Sequence, residues 1–201
     1  MAQRRKSFSE YTLAEAFEAV GITEPQRWQL SVAPKAPGSY FDENMRRLEA
    51  FDTLRSEGAR LLLVDAILQE AIQPYHKLRV FKEATLRSEL AGGLVDYVVA
   101  PRAGVVTLPI ACIAEAKKDD FDKGLAQCLV TMHAAAQLNA AANHKADVYG
   151  IVTNGTTWQF YQRLQNGEFY GTLPSSIASI EIILGILDHL FAQCEASLVA
   201  P

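Results

Sequence analysis

Two apolar runs decide the fold of this chain, Leu94-Val95-Asp96-Tyr97-Val98-Val99 and Ile110-Ala111-Cys112-Ile113-Ala114-Glu115-Ala116-Lys117. Both are rich in β-forming residues, and Pro101, Gly104 and Pro109 separate them, which predicts two strands of an antiparallel hairpin. If the hairpin folds about its midpoint near Val105 and Val106, Asp96 lies directly across from Glu115. Directly opposed residues point to the same face of a sheet.

Two opposed carboxylates are unfavourable unless a positive charge lies between them, and a divalent cation is the simplest source of that charge. The two-residue period of a strand places Lys117 on the same face as Glu115, while Ala116 points to the opposite face. Two acids and an ammonium group at one point suit metal-assisted chemistry on a phosphate. A salt-bridged surface pair is the alternative interpretation of Glu115 and Lys117, because Glu-x-Lys is common on strands.

The length and composition indicate one α/β domain with an N-terminal extension. The chain has 201 residues, of which 49% are hydrophobic, and its net charge is −4. This charge excludes a general cationic coat, so any surface for nucleic acid must be local. Three cysteines without Cys-x-x-Cys spacing argue against a disulfide framework or a structural zinc site and favour a reducing cytoplasm. The sequence predicts no signal peptide, and residues 182–187 are too short an apolar run for a membrane span.

Periodicity and turn residues predict the remaining elements. We expect helices at residues 8–20, about 41–51, 56–72, about 123–143 and about 175–197, and further strands at 78–84, 148–153 and 156–161. The helix from 123 joins two strands as a crossover, which predicts a right-handed parallel unit. The closing helix is expected to bury one apolar face, either against the domain or across a two-fold interface; its members are Ile182, Ile183, Ile186, Leu187 and Leu190.

The order of these elements and motifs resembles the PD-(D/E)xK nuclease superfamily, and most closely the nuclease domain at the N-terminus of type I restriction motor subunits. The similar region covers about residues 56–162. It includes Gly92-Gly93-Leu94-Val95-Asp96-Tyr97, Ala114-Glu115-Ala116-Lys117, Gln127, and Val152-Thr153-Asn154-Gly155 followed by Trp158. The resemblance implies an α/β fold with a restriction endonuclease-like mixed central sheet flanked by helices. Residues 1–55 would then form a helical N-terminal extension packed on a nuclease-like domain of residues 56–201.

The resemblance also implies roles for individual residues. Asp96 and Glu115 would hold Mg²⁺, which Mn²⁺ could replace, and Lys117 would orient or polarise the attacking water. Gln127 would lie on the helix at the same cleft. The family tends to place a further acid on the helix before the sheet; Glu57 is the first choice and Glu70 the second. A first-turn glutamate favoured by the helix dipole is an equally weighted interpretation of Glu57.

The sequence leaves two functions open. The first is a Mg²⁺-dependent endonuclease that hydrolyses DNA phosphodiester bonds, with DNA as partner, a homodimer for double-strand cutting, and any motor or specificity subunit on another chain. The second is a non-catalytic nuclease-fold module for nucleic-acid binding or assembly. Thr131, which stands where glutamine-motif relatives often have tyrosine, favours the second. His133 invites a general-base role, although a lone histidine in an alanine-rich helix is more often packed or solvated.

Overall fold

The protein is a mixed α/β structure in which an eight-stranded mixed sheet is flanked by helices, as the sequence predicts at this level. A computed structural model describes residues 5–53, 55–117 and 120–198, and for Glu57 the backbone alone. The helices are α1 (Leu13–Val20), α2 (Ser39–Leu48), α3 (Glu57–Ile72), α4 (Phe121–Ala141) and α5 (Ile180–Ser197). The strands are β1 (Gln26–Arg27), β2 (Leu78–Arg87), β3 (Gly92–Pro101), β4 (Cys112–Ala116), β5 (Val148–Thr153), β6 (Thr157–Arg163), β7 (Phe169–Gly171) and β8 (Ser175–Ser176).

The strands lie in the order β1-β7-β6-β5-β4-β3-β2, and β8 pairs with β6. The β4–β5 and β1–β7 pairs are parallel, and the other pairs are antiparallel. Because α4 is the connection between β4 and β5, the predicted parallel unit is confirmed. In the central part of the sheet, β2, β3 and β4 are therefore antiparallel neighbours. Helix α4 then connects β4 to β5, which lies parallel to β4.

The β3–β4 hairpin has the predicted register, with Tyr97 opposite Ala114, Val98 opposite Ile113 and Val99 opposite Cys112. Strand β4 nevertheless begins at Cys112 rather than at Ile110. The N–H of Ile110 donates to Asn139 Oδ1 and its carbonyl accepts from Asn139 Nδ2, both at 2.8 Å. The Asn139 amide thus satisfies the peptide groups that a longer strand would have paired.

Two apolar cores cover the two faces of the sheet. One contains buried side chains of α3 and α5 together with Tyr97, Ala114 and Ala116. The other contains α1 and the buried face of α4 together with Val98, Ile113 and Val152. The alternation of β4 therefore sends Ile113 and Glu115 towards α4, whereas Ala114 and Ala116 face α3 and α5.

Helix α4 begins two residues earlier than the sequence predicts. Asp120 is its N-cap, and its Oδ1 accepts the Lys123 N–H at 2.8 Å. The charged stretch before Lys123 looks like a loop in the sequence because its aspartates are common in turns as well as at N-caps. The prediction for α3 is closer, since Ser56 caps that helix through its Oγ.

The N-terminal segment is not only helical. Its strand β1 pairs with β7, and Ser7 makes an isolated bridge with Gly92 at the start of β3. Helix α1 packs against α4 and ends at Gly21, whose φ of 77° is left-handed. Two-residue strands such as β1 have no detectable periodicity, which is why the sequence did not reveal β1 or β8.

The closing helix α5 packs against the domain. Four of its five predicted core residues are buried against the domain, whereas Ile182 is 37% exposed in the single chain. Burial of Ile182 across a two-fold interface stays a prediction. The segment Ile177–Ser197, of which the run 182–187 is only a part, has a mean hydropathy of 1.5, and by length and composition alone it is sufficient to cross a membrane. A buried core helix passes the same test, so this property assigns no location.

Candidate functional site

The hairpin brings Asp96, Glu115 and Lys117 together at one end of the sheet. Continuing the register of β3 and β4 by one residue places Asp96 across from Glu115. The Lys117 N–H donates to the Thr153 carbonyl at 2.9 Å, so the chain stays in strand conformation past the end of β4. Glu115 and Lys117 consequently project from the same face, towards α4.

The three charged groups are in mutual contact. Asp96 Oδ2 accepts the backbone N–H of Ala116 at 2.8 Å and lies 3.3 Å from Lys117 Nζ. The same Nζ is 3.7 Å from Glu115 Oε2. The Asp96 and Lys117 side chains are 26% and 19% exposed, whereas that of Glu115 is completely buried. One ammonium group therefore lies between two carboxylates, and only one of the three groups has no access to solvent.

Among the described residues, no donor meets the Glu115 carboxylate in hydrogen-bond geometry, although the Lys117 ammonium and the Gln127 amide lie close enough to act on its charge. Neither of its buried oxygens has a partner within the part of the chain that the structure describes. Burial raises the pKa of Glu115 well above its ordinary value, and the negative charge of Asp96 raises it further, while Lys117 and the Gln127 amide act in the opposite direction. A buried acceptor without a donor is costly, and a buried negative charge more so. The site therefore favours either a proton or an added cation at Glu115.

Gln127 lies on the inner face of α4, next to Glu115. It is 2% exposed, and its Nε2 donates to the Leu94 carbonyl at 3.4 Å. Its buried Oε1 has no donor among the described residues. Gln127 is thus on the same side of the sheet as Glu115, which is the placement expected for it. Thr131 is buried, and its Oγ1 donates to the Gln127 carbonyl. It therefore cannot make the surface contact expected of a tyrosine at this position.

The sequence analysis did not identify Gly124 as a residue that shapes this site. A Cβ at Gly124 would lie 2.8 Å from Val152 Cγ1 and 3.2 Å from Lys117 Cγ. The first turn of α4 can therefore approach the ends of β4 and β5 only because residue 124 has no side chain. A glycine in a helix that is otherwise rich in alanine was the available signal, because glycine there is unfavourable without a packing reason.

Glu70 and His133 lie away from this contact. The side chain of Glu57 lies outside the described residues. One turn later, the α3 backbone at Arg60 approaches the turn between β5 and β6: a Cβ at Gly155 would be 3.3 Å from the Arg60 carbonyl. Glu70 accepts the Gly38 N–H at 2.8 Å, which ties α3 to the start of α2. His133 lies near Arg163: burial first and then Arg163 lower its pKa.

The residues present fit a hard divalent cation with few protein ligands. No group of three or more His, Cys, Asp or Glu side chains converges within the described ranges. Asp96 and Glu115 are therefore the available carboxylates, and the two Glu115 oxygens are free to coordinate. Mg²⁺ retains several waters and binds through one or two carboxylates, which matches this set.

No protein-family model matches the chain, and no curated protein matches it.

Proposed function

We propose that the protein is a Mg²⁺-dependent nuclease of the PD-(D/E)xK type that hydrolyses DNA phosphodiester bonds. One observation carries the proposal: a completely buried glutamate that has no hydrogen-bond donor among the described residues, opposite a second carboxylate and beside a lysine. Such a group costs folding free energy, and proteins retain such costs chiefly at functional sites. The succession of α3, β2, β3, β4, α4 and β5, with β4 and β5 parallel, supports a restriction endonuclease-like core.

Each residue has a role that follows from its contacts. Asp96 and Glu115 would hold the cation, and the Ala116 N–H orients Asp96 by its hydrogen bond. Bound Mg²⁺ supplies a polarised phosphate oxygen and a more acidic water. Lys117 Nζ, within reach of both carboxylates, would turn to the attacking water and the phosphate oxygen once the cation neutralises the acids. Gln127 would position that water through its unpartnered Oε1.

A neighbouring basic cleft supports a DNA substrate. Its volume is about 350 Å³, and Arg5, Thr85, Arg87, Gly92 and Gly93 line it. Gly92 and Gly93 precede Asp96 on β3, so the cleft continues the candidate site along that strand. Two guanidinium groups there would bind backbone phosphates on one side of the scissile bond.

A second candidate function also has an observation in its favour. Lys117 already contacts both acids, and a lysine in this position can serve as the permanent counter-ion of a site that binds no metal. The protein would then be a non-catalytic module for nucleic-acid binding or assembly. The two functions differ in whether the carboxylates bind Mg²⁺.

The test combines calorimetric titration of Mg²⁺ and Mn²⁺ with a plasmid-nicking assay. The proteins are wild type, Glu115→Gln and, as a matched control, Glu18→Gln, which removes the same charge from an exposed position on α1. We expect one metal site in wild type and in the control, and loss of both metal binding and nicking in Glu115→Gln. Absence of metal binding in wild type, or nicking by Glu115→Gln at the wild-type rate, would leave the non-catalytic module as the better description.

A further inference from the structure

A second polar site lies at the opposite end of the sheet, under the C-terminal half of α4. It is an open cleft of about 370 Å³. Three alanines form one wall, and the polar lining consists of Gln137, His144, Lys145, Arg163 and Gln165. Arg163 pairs with Val148 at the start of β5, whereas Glu115 pairs with Val152 near its end. Four strand residues separate these positions, or roughly 13 Å.

Arg163 is a half-buried cation that forms no ion pair with the described part of the chain. Its Nη1 donates to the Leu164 carbonyl at 3.2 Å, and its guanidinium carbon lies 5.7 Å from the centre of the Phe169 ring. Its buried Nε has no acceptor among the described residues. The nearby Asp147 uses its two carboxylate oxygens for Gln162 Nε2 and the Gln165 N–H. The guanidinium group therefore keeps unused donor capacity beside an open cleft.

The described lining of the cleft carries positive charge. Lys145 and Arg163 line it, no carboxylate side chain stands among its described lining residues, and the nearby Asp147 lies outside the lining. Burial lowers the pKa of Arg163, and the charge of Asp147 offsets this only in part. The same guanidinium lowers the pKa of the partly buried His133, whose Nδ1 also has no partner within residues 5–53, 55–117 and 120–198. A bound anion would stabilise these positive charges, and no carboxylate of the described lining would repel it.

We propose that this cleft binds a phosphate-bearing ligand of about mononucleotide size. The guanidinium fork of Arg163 and the ammonium of Lys145 come from separate segments and would hold the phosphate oxygens. The cleft exceeds the size of a phosphate group, and its volume is in the range of about 300–1,000 Å³ typical of small-molecule sites. The alanine wall suits the flat face of a base, and the amides of Gln137 and Gln165 can recognise its polar edge.

The phosphate could belong to a free nucleotide or to a nucleic-acid backbone, and the binding chemistry is the same for both. The inference does not depend on nuclease activity, because no residue of the candidate metal site lines this cleft. The experiment titrates inorganic phosphate, adenosine monophosphate and a short single-stranded oligonucleotide into metal-free protein by calorimetry. It compares wild type with Arg163→Gln, with the exposed Lys145→Ala, and with Arg102→Gln as a control that removes an exposed arginine elsewhere.

We expect adenosine monophosphate to bind wild type at one site, and at least about tenfold more weakly to Arg163→Gln and Lys145→Ala, with no change in Arg102→Gln. Binding of the oligonucleotide alone, with the same dependence on Arg163 and Lys145, would support the site and assign the phosphate to a nucleic-acid backbone. Failure of all three probes to bind wild type at about 10 mM would overturn the proposal. Equal binding to wild type and to Lys145→Ala would also overturn it, even if Arg163→Gln did not fold.

Discussion

Two charged side chains of opposite sign lie near the two ends of α4, and each has polar atoms without a hydrogen-bond partner among the described residues. At the first end, Glu115 is a completely buried acid without a hydrogen-bond donor among the described residues; at the second, Arg163 is a partly buried cation whose Nε–H has no acceptor within those residues. Both lie on the α4 side of the same sheet. They differ in burial: Arg163 retains contact with solvent and with the Phe169 ring, whereas the Glu115 carboxylate is closed to solvent and has the Lys117 ammonium at 3.7 Å and the Gln127 amide beside it. The free-energy cost of burying a charged group is therefore larger at Glu115 than at Arg163. Substitution of Glu115 should change the free energy of unfolding more than substitution of Arg163.

The largest effect should come from Lys117→Met. We expect nicking activity to fall about 100- to 1,000-fold, because a positioned donor to the developing charge is lost. The affinity for Mn²⁺ should persist or rise, since the ammonium that competes for the two carboxylates is absent. The measurements are nicking rate and Mn²⁺ calorimetry, with Lys77→Met as an exposed control. Loss of metal binding along with activity would show that Lys117 supports the carboxylates rather than the reaction.

Glu115→Gln should stabilise the metal-free protein by about 1–3 kcal/mol at neutral pH, because it removes the cost of burying a carboxylate that has no hydrogen-bond donor among the described residues. The sign of the pH dependence follows from the raised pKa of Glu115. The stability that its protonated form contributes is complete below the ordinary value of 4.5 and is lost as pH rises through the raised pKa. The difference in melting temperature between Glu115→Gln and wild type should therefore grow from pH 4.5 upwards. A constant difference would mean that Glu115 titrates normally. Saturating Mg²⁺ should reduce the advantage of the variant.

Gly124→Ala should destabilise the protein by roughly 1 kcal/mol, because the new methyl group overlaps Val152 and presses on Lys117. Gly58→Ala in α3 is the matched control, since a Cβ there meets nothing within 4 Å, and a gain of about 0.5 kcal/mol is expected. Urea unfolding of both variants checks the pair. Two stabilised variants would contradict the close approach of α4 to the candidate site.

The smallest effect should belong to Arg163→Gln in the absence of phosphate. Solvent already screens half of this side chain, and its contact with Phe169 offsets part of the cost of burial, so the free energy of unfolding should change by no more than about 0.5 kcal/mol. Thermal unfolding in phosphate-free buffer measures this. A change as large as that of Glu115→Gln would remove the contrast between the two ends.

The sequence specifies the hairpin end of the molecule well. The two-residue period of a strand and the midpoint of the hairpin loop together predict the positions of Asp96, Glu115 and Lys117. The predicted register agrees with the observed register at each residue pair between β3 and β4. Gln127 could be placed because a short connection leaves little choice of direction. These inferences succeed because period and loop length are local properties of the chain.

The features that escaped prediction depend on contacts distant in sequence. The start of β4 is set by Asn139 on another element, and the exposure of Ile182 in the single chain depends on which neighbours α5 receives. The Arg163 cleft is assembled from the end of α4 and the end of β6, which no sequence period connects. The position of Lys117 beside the two acids likewise depends on a distant contact, because the first turn of α4 at Gly124 packs against it.

Helix α4 is also held to the chain around β4 at two separate points. Near its start Gly124 lies against Lys117, and near its end the Asn139 amide bonds the backbone of Ile110. Fifteen residue steps separate the two helix positions, which is a rise of about 22 Å. A single insertion or deletion between Gly124 and Asn139 would rotate one of these positions by about 100° relative to the other, so it should break one of the two contacts, whereas the loops outside that interval should tolerate changes in length.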